Sequence, residues 1–218
     1  KTIRSCEVPT DVLLAVDVSG SMNNDQDNPP QPITTVLQAA GAFVDRLQEG
    51  DQSGLVSFAT ESTVVQQLTS NLSLVTSAIA GLGINPEEET GSTNTGDAFV
   101  RVAEEFASLR HSNEARKVLV LLTDGIATAP DEQPEVYALE QAQAVKNAGI
   151  NVYTIGLGEQ VNTNFITMLA STPQQAYQAL SRDDIDRIYQ TITADLCEDG
   201  PAVIQIVVKT DAAFTPLQ

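Results

Sequence analysis

The chain alternates short apolar runs with longer amphipathic stretches, and this alternation predicts its strands and helices. Two runs, at 12–16 and 118–122, contain only apolar residues, which is typical of strands buried on both faces. Between Ile33 and Leu47 apolar residues recur at helical spacing, and the pattern stops before Gly50. Strands and helices that alternate in this way predict an α/β domain.

Six strands and six helices are predicted. The strands are Thr10–Val18, Gly54–Ala59, Thr63–Leu68, Arg116–Thr123, Ile150–Ile155 and Gln175–Leu180. The helices are Ile33–Leu47, Asn71–Ala80, Thr95–Leu109, Pro134–Ala148, Asn162–Ala170 and Asp183–Leu196. The third strand follows a tight turn at 60–62, so we expect it to be an antiparallel edge strand. The prediction is a Rossmann-like, open, mostly parallel twisted sheet with one antiparallel edge strand and helices on both faces.

After Gly200 and Pro201, the segment Val203–Val208 has the pattern of one more strand, without a helix to complete a unit. It either extends the edge of the sheet or begins a second domain, and the second interpretation is slightly favoured. We therefore expect one domain over residues 1–200, and an extra strand or the start of a following domain over 201–218. Because the sequence begins at Lys1 without an apolar leader, we expect it to be part of a longer protein.

The composition of the chain limits the classes of partner and location that are expected. The 218 residues, 42% of them hydrophobic, fit one domain with a sizeable core. No apolar run approaches the roughly 20 residues that span a bilayer, so insertion into a membrane is not expected. Eleven Lys and Arg against 29 Asp and Glu give a net charge of −18, which repels nucleic acid and anionic membrane surfaces.

The two cysteines, Cys6 and Cys197, lie near the two ends of the predicted domain. Chain ends often lie close together in a domain, so we predict a disulfide between them, with two free thiols as the alternative. A disulfide implies an oxidising compartment, and we expect the protein to be extracellular or at a cell surface.

Three separate segments offer only oxygen donors: 17–21, 92–96 and 123–125. Two of them directly follow the buried runs, and ligands of open parallel sheets sit at the carboxyl ends of strands. Hard oxygen donors suit Mg²⁺, Mn²⁺ or Ca²⁺ and exclude a zinc-type site of nitrogen and sulfur ligands. The candidate donors are Asp17, Ser19, Ser21, Thr93 and Asp124. With only two carboxylates among them, a bound cation would keep its attraction for an outside acid group.

These segments, with their spacing and strand context, resemble the metal-ion-dependent adhesion site of von Willebrand factor A-type domains, and the resemblance covers about residues 10–197. It implies that Asp17, Ser19 and Ser21 are first-loop ligands, Thr93 the second-loop ligand and Asp124 the third-loop ligand, often through water. Members of the family typically bind a protein partner whose Asp or Glu completes the coordination of the metal.

The resemblance therefore implies a metal-dependent adhesion module of a secreted, surface or pilus-associated protein, monomeric as an isolated domain. Two alternatives remain open: a structural module whose metal mainly stabilises the loops, and an intracellular metal-dependent assembly factor.

The insert between Met22 and Ile33 departs from the family pattern. In it, Asp25, Asp27 and Asn28 have a spacing that can hold a second, calcium-like ion, with a solvated loop as the alternative. Of two further features near the site, the acidic run 87–89 is expected to be a solvated rim, and Thr95 is expected to be a helix cap.

Enzyme motifs are incomplete. An aspartyl phosphatase needs a second Asp two residues after the first, where this chain has Ser19. A serine hydrolase needs a base, and the single histidine, His111, is expected to be exposed in a loop. The turn at 156–158 lacks the third glycine of a dinucleotide-binding motif, and no Walker-type motif is present. We expect no catalytic activity.

Overall fold

A computed structural model of the chain describes residues 8–22, 32–83, 91–130, 132–159 and 161–198, with the backbone only at residues 32, 182, 197 and 198. The strands are β1 (Thr10–Asp17), β2 (Gln52–Phe58), β3 (Ser62–Thr69), β4 (Arg116–Thr123), β5 (Ile150–Leu157) and β6 (Ala176–Ala179). The α-helices are α1 (Pro32–Val44), α2 (Leu72–Gly81), α3 (Thr95–Phe106), α4 (Pro134–Asn147), α5 (Thr163–Leu169) and α6 (Arg182–Glu198).

The six strands form one sheet in the order β3-β2-β1-β4-β5-β6. Only β3 is antiparallel to its neighbour, and it lies at the edge. The predicted architecture is therefore confirmed. Two short 3₁₀ helices, Gly20–Met22 and Pro173–Gln175, were not predicted. Residues 203–208 lie outside the described part of the chain, so the seventh strand stays a prediction.

The centre of the sheet determines where the polar loops emerge. Strand β1 lies between β2 and β4, and its last residue, Asp17, pairs with Phe58 of β2. On the other side, Val16 of β1 pairs with Leu122 of β4. The parallel strands β1 and β4 therefore end side by side, so the residues that follow them emerge at the same edge of the sheet.

Two apolar layers cover the two faces of the sheet. In β1, alternate residues enter opposite layers: Val12, Leu14 and Val16 pack with helices α1, α2 and α6, whereas Leu13 and Ala15 pack with α3, α4 and α5. All eight residues of β1 are buried, which explains its unbroken apolar pattern. Within the described ranges, no helix combines the length and apolar composition that crossing a bilayer requires.

The edge strand β3 is held by a glycine and by the buried carboxylate of Glu105. A Cβ atom at Gly54 of β2 would lie 2.9 Å from the carbonyl oxygen of Gln66 in β3, so only glycine allows this close approach. The register of the two strands shifts nearby. Within the irregular stretch of β3, the amide of Leu68 donates to Glu105 Oε1, and Glu105 also pairs with Arg110.

Cys6 lies outside the described residues, as does the side chain of Cys197, so the disulfide stays a prediction. Pro9 and Leu196, which are near Cys6 and Cys197 in sequence, are both hydrogen-bonded to Arg116. The backbone amide of Arg116 donates to the carbonyl oxygen of Pro9 at 2.9 Å. The side-chain Nη1 of Arg116 donates to the carbonyl oxygen of Leu196 at 2.8 Å. The start of β1 and the end of α6 are therefore near each other.

Candidate metal centre

Asp17 is the best-defined residue of the centre. It ends β1, and its side chain is fully buried. The amide of Ser19 donates to Asp17 Oδ1 at 2.8 Å, and the hydroxyl of Thr123 donates to Oδ2 at 2.6 Å. Both oxygens of the carboxylate are thus oriented by residues that follow or end the central strands.

A chain of hydroxyl groups links the first loop to the third. Ser19 Oγ lies 3.2 Å from Ser21 Oγ, and Ser21 Oγ donates to Asp124 Oδ1 at 2.8 Å. Ser21 lies in the 3₁₀ helix Gly20–Met22, which the buried side chain of Met22 anchors. Hydrogen bonds therefore join four of the five predicted donors.

Thr93 lies on the neighbouring second loop, immediately before α3. Its amide donates to Thr128 Oγ1 at 2.7 Å, and the amide of Thr128 donates back to the carbonyl oxygen of Thr93 at 2.9 Å. This reciprocal pair fastens the Thr93 loop to the loop that carries Asp124. The Thr93 side chain is buried.

The predicted cap at Thr95 is wrong. The N-cap of α3 is Asn94, whose side-chain oxygen accepts a hydrogen bond from the amide of Asp97 at 3.1 Å. An asparagine placed three residues before that amide satisfies it directly, which leaves Thr95 inside the first turn of α3.

Burial and mutual repulsion make this region unfavourable for negative charge. Burial raises the pKa of Asp17 to about 6, hydrogen bonds from Ser19 and Thr123 partly oppose the rise, and the nearby Asp124 adds to it. Burial also raises the pKa of Asp124, against the hydrogen bond from Ser21. Among the described residues, no Lys, Arg or His forms an ion pair with either acid.

The donor set fits a small divalent cation. Two carboxylates and three hydroxyl groups are all hard oxygen donors, as Mg²⁺, Mn²⁺ and Ca²⁺ prefer. A cation would neutralise the buried Asp17 and the half-buried Asp124, neither of which has an ion-pair partner among the described residues. In the described part of the chain, no group of three or more His, Cys, Asp or Glu is arranged to hold a metal, so a site with more charged ligands is not found there.

Two threonines that help to build the site were not among the predicted ligands, although Thr123 lies in the third donor segment. Thr123 orients Asp17, and Thr128 fastens the loop of Thr93. A polar residue at the end of the apolar run 118–122 was the available signal for Thr123. Nothing in the local sequence marks Thr128, because its partner lies 35 positions earlier. The candidate second-ion residues Asp25, Asp27 and Asn28, and the acidic run 87–89, lie outside the described residues and stay predictions.

The expectation that His111 is an exposed loop histidine is wrong. Its side chain is only 8% exposed, and Nδ1 lies 2.8 Å from Oδ2 of the fully buried Asp11. Asp11 belongs to the N-terminal end of β1, so this pair lies at the opposite end of the sheet from Asp17. Burial of Asp11 requires polar partners, and His111 is one of them.

The fold and the loops define a class: an α/β domain with oxygen donors at the carboxyl edge of a mostly parallel sheet. The sequence profile of the von Willebrand factor type A domain matches residues 11–191. The chain therefore belongs to the von Willebrand factor type A domain family.

Relatives of known sequence and structure agree with this assignment. A UPF0353 protein of Nocardia farcinica is 32% identical over 154 residues, which are 68% of this chain and 45% of that protein. The chain thus spans less than half the length of that curated relative.

Proximal thread matrix protein 1 of the mussel byssus superposes with a TM-score of 0.74 at 23% identity, covering 89% of this chain and 48% of that one. Another structure of the mussel protein, at 21% identity and a TM-score of 0.74, has a zinc-occupied MIDAS motif, and the match covers 89% of this chain and 47% of that one. MIDAS denotes the metal-ion-dependent adhesion site.

The von Willebrand factor domain of a type V pili tip protein from Porphyromonas gingivalis superposes with a TM-score of 0.71 at 15% identity, covering 91% of this chain and 99% of that one. At these identities the solved structures establish the fold alone.

Proposed function

We propose that this domain is a divalent-metal-dependent protein-binding module. Its metal ligands would be Asp17, Ser19, Ser21, Thr93 and Asp124. The observation that carries the proposal is the hydrogen-bonded path from Ser19 through Ser21 to Asp124, beside a buried Asp17 whose two oxygens are already oriented. Magnesium is the first candidate ion, with manganese or calcium as alternatives.

The ligand in this proposal is a protein partner that contributes an Asp or Glu side chain. A divalent cation held by only two carboxylates supplies an electrophilic position for an outside carboxylate. The net charge of −18 would by itself repel an acidic partner. Removal of the metal should therefore abolish binding rather than weaken it slightly. We propose binding, not catalysis, as the activity of the site.

The kinds of relatives support an extracellular setting. One similar domain belongs to a pili tip protein and another to a thread matrix protein. We propose that the parent protein acts outside the cell or at its surface. The matrix relative also keeps open a structural role, in which the metal stabilises the loops of an extracellular assembly without capturing a ligand.

One experiment separates the two roles. Calorimetric titration of the metal-free domain with Mg²⁺, Mn²⁺ and Ca²⁺ should give uptake of one ion, and Asp17→Ala should lose it. Glu61→Gln is the matched control, because Glu61 is an exposed acid in the turn between β2 and β3, at the same edge of the sheet. It should bind metal normally.

Partner capture from an extracellular extract is then compared with and without chelator. Capture that needs both metal and Asp17 supports the binding role. Metal uptake without any metal-dependent partner, together with a metal-dependent rise in melting temperature, supports the structural role. Absence of metal uptake by the folded wild-type domain refutes both.

A further inference from the structure

A second polar cavity lies at the end of the sheet opposite the metal centre. It has a volume of about 370 Å³ and opens beside the first residues of β4 and β5. Its polar lining residues are His111, Asn113, Arg116, Lys117 and Asn151. Strand β4 runs from Arg116 to Thr123, and seven steps of about 3.3 Å each separate the cavity from the metal centre by roughly 23 Å. The two sites are therefore separate in space.

The two cations of this cavity have no acidic partner in the described part of the chain. Elsewhere, Arg101, Arg110 and Arg187 each form an ion pair with a nearby acid. Arg116 and Lys117 appear in no such pair, although the chain carries 29 acids. Among the described residues that line the cavity, none is acidic.

The guanidinium group of Arg116 has an unmet donor. Its Nη1 donates to the carbonyl oxygen of Leu196, but its Nη2 is buried and has no hydrogen-bond partner among the described residues. Because an arginine side chain does not lose its proton in proteins, this buried nitrogen remains a charged donor. Buried charged donors are normally paired, so Arg116 brings a positive charge to the wall of the cavity that no described acid compensates.

Two neighbouring polar side chains each have one nitrogen without a hydrogen-bond partner among the described residues. Asp11 contacts Nδ1 of His111 and is itself held by the amide of Ser112, which leaves Nε2 as the remaining polar atom of the ring. Asn151 Oδ1 accepts a hydrogen bond from Gln175 Nε2 at 2.9 Å. The amide nitrogen of Asn151 is therefore the group left to meet a ligand.

We propose that this cavity binds a small oxyanion, held mainly by Arg116 and Lys117. The shared chemistry is that of phosphate, sulfate and carboxylate, all of which accept charge-assisted hydrogen bonds from a guanidinium fork. A chain with a net charge of −18 has no general attraction for anions. Anion binding at this position would therefore reflect the local arrangement of donors.

The only histidine of the chain provides the test, because His111 lines the cavity and its imidazole proton signals need no assignment. The metal-free domain is titrated with inorganic phosphate and, separately, with N-acetylglutamate, at constant pH and ionic strength. Each should produce a saturable change of the His111 proton resonances. Tighter binding of phosphate would identify a free inorganic ligand, and tighter binding of N-acetylglutamate a carboxylate of a polypeptide.

Two variants test whether Lys117 contributes to anion binding. Lys117→Gln should weaken the binding about tenfold, the effect of losing one charge-assisted hydrogen bond. Arg101→Gln, which removes the same charge from exposed helix α3, should not change it. Using Lys117 rather than Arg116 avoids disturbing the contact with Leu196. A response to neither anion, a response that rises linearly without saturation, or equal weakening in both variants would overturn the proposal.

Discussion

Replacement of Asp17 by asparagine should stabilise the metal-free domain at neutral pH while abolishing metal uptake. In the wild type, burial raises the pKa of this carboxyl group from its ordinary value of 3.8 to about 6. The native state therefore holds the proton more tightly than the unfolded chain does. As the pH rises from 3.8 to about 6, the free energy of unfolding of the metal-free protein falls. At pH 7 the full loss of stability caused by the buried, ionised Asp17 is present.

The magnitude follows from the size of this pKa change. At about 1.36 kcal/mol per pH unit, a rise from 3.8 to about 6 corresponds to about 3 kcal/mol, an upper figure for the stabilisation expected from Asp17→Asn. The substitution keeps the hydrogen bond from the Ser19 amide and loses the one that Thr123 donates to Oδ2. An asparagine oxygen can still accept from the amide of Ser19, and the Thr123 hydroxyl already lies 3.3 Å from a second acceptor, the carbonyl oxygen of Gly125.

Urea denaturation of both proteins in metal-free buffer measures the effect. The variant should have the higher free energy of unfolding at pH 7, and the difference should shrink as the pH falls below 6 and vanish below 3.8. Magnesium at 100 times its dissociation constant should add about 2.7 kcal/mol to the wild type and nothing to the variant. Glu61→Gln should behave as the wild type does. A variant that is less stable at pH 7, or a difference that does not depend on pH, would show that Asp17 is not a buried, uncompensated charge in the metal-free domain.

Three further substitutions test other parts of the structure. Tyr189→Phe should leave the free energy of unfolding unchanged or raise it, since the hydroxyl is buried without a partner among the described residues; a loss above about 1 kcal/mol in thermal denaturation would contradict this. Gly96→Ala should cost about 1–3 kcal/mol in urea denaturation, because its Cβ would lie 2.3 Å from Tyr137 Cδ1, and a smaller residue at 137 should restore stability. Thr128→Val removes the oxygen that accepts from the amide of Thr93 and should weaken magnesium binding in calorimetry; unchanged affinity would mean that this bond does not position the second loop.

The central strands were predictable because the apolar run that marks each of them lies within a short segment of the sequence. Strand β1 was predicted as Thr10–Val18 and extends over Thr10–Asp17, and the predicted bounds of β4 match those of the structure. Strands buried on both faces are marked by unbroken apolar runs, and the polar residues after them mark the end of the buried segment. The helix from Ile33 was predicted to end at Leu47 but ends at Val44, since helix ends depend on weak terminal contacts.

Polar pairing was not predictable in the same way. The local sequence around His111 is polar, which suggested an exposed loop, but its partner Asp11 lies 100 positions earlier. The contact of Thr123 with Asp17 spans 106 positions. Such contacts arise only when the order of strands in the sheet brings distant residues together.

The amino-acid sequence alone determined the class of the fold, the buried strands and the set of oxygen donors, because hydrophobic periodicity and residue chemistry are properties of short segments. The tertiary structure alone decided which donors touch, that Asp17 is a buried acid without a cationic partner among the described residues, and that the cavity shared by Arg116 and Lys117 has no acid in its described lining. These properties depend on burial and on distances between residues far apart in the chain, and burial and distance exist only once the strands have taken their places in the sheet.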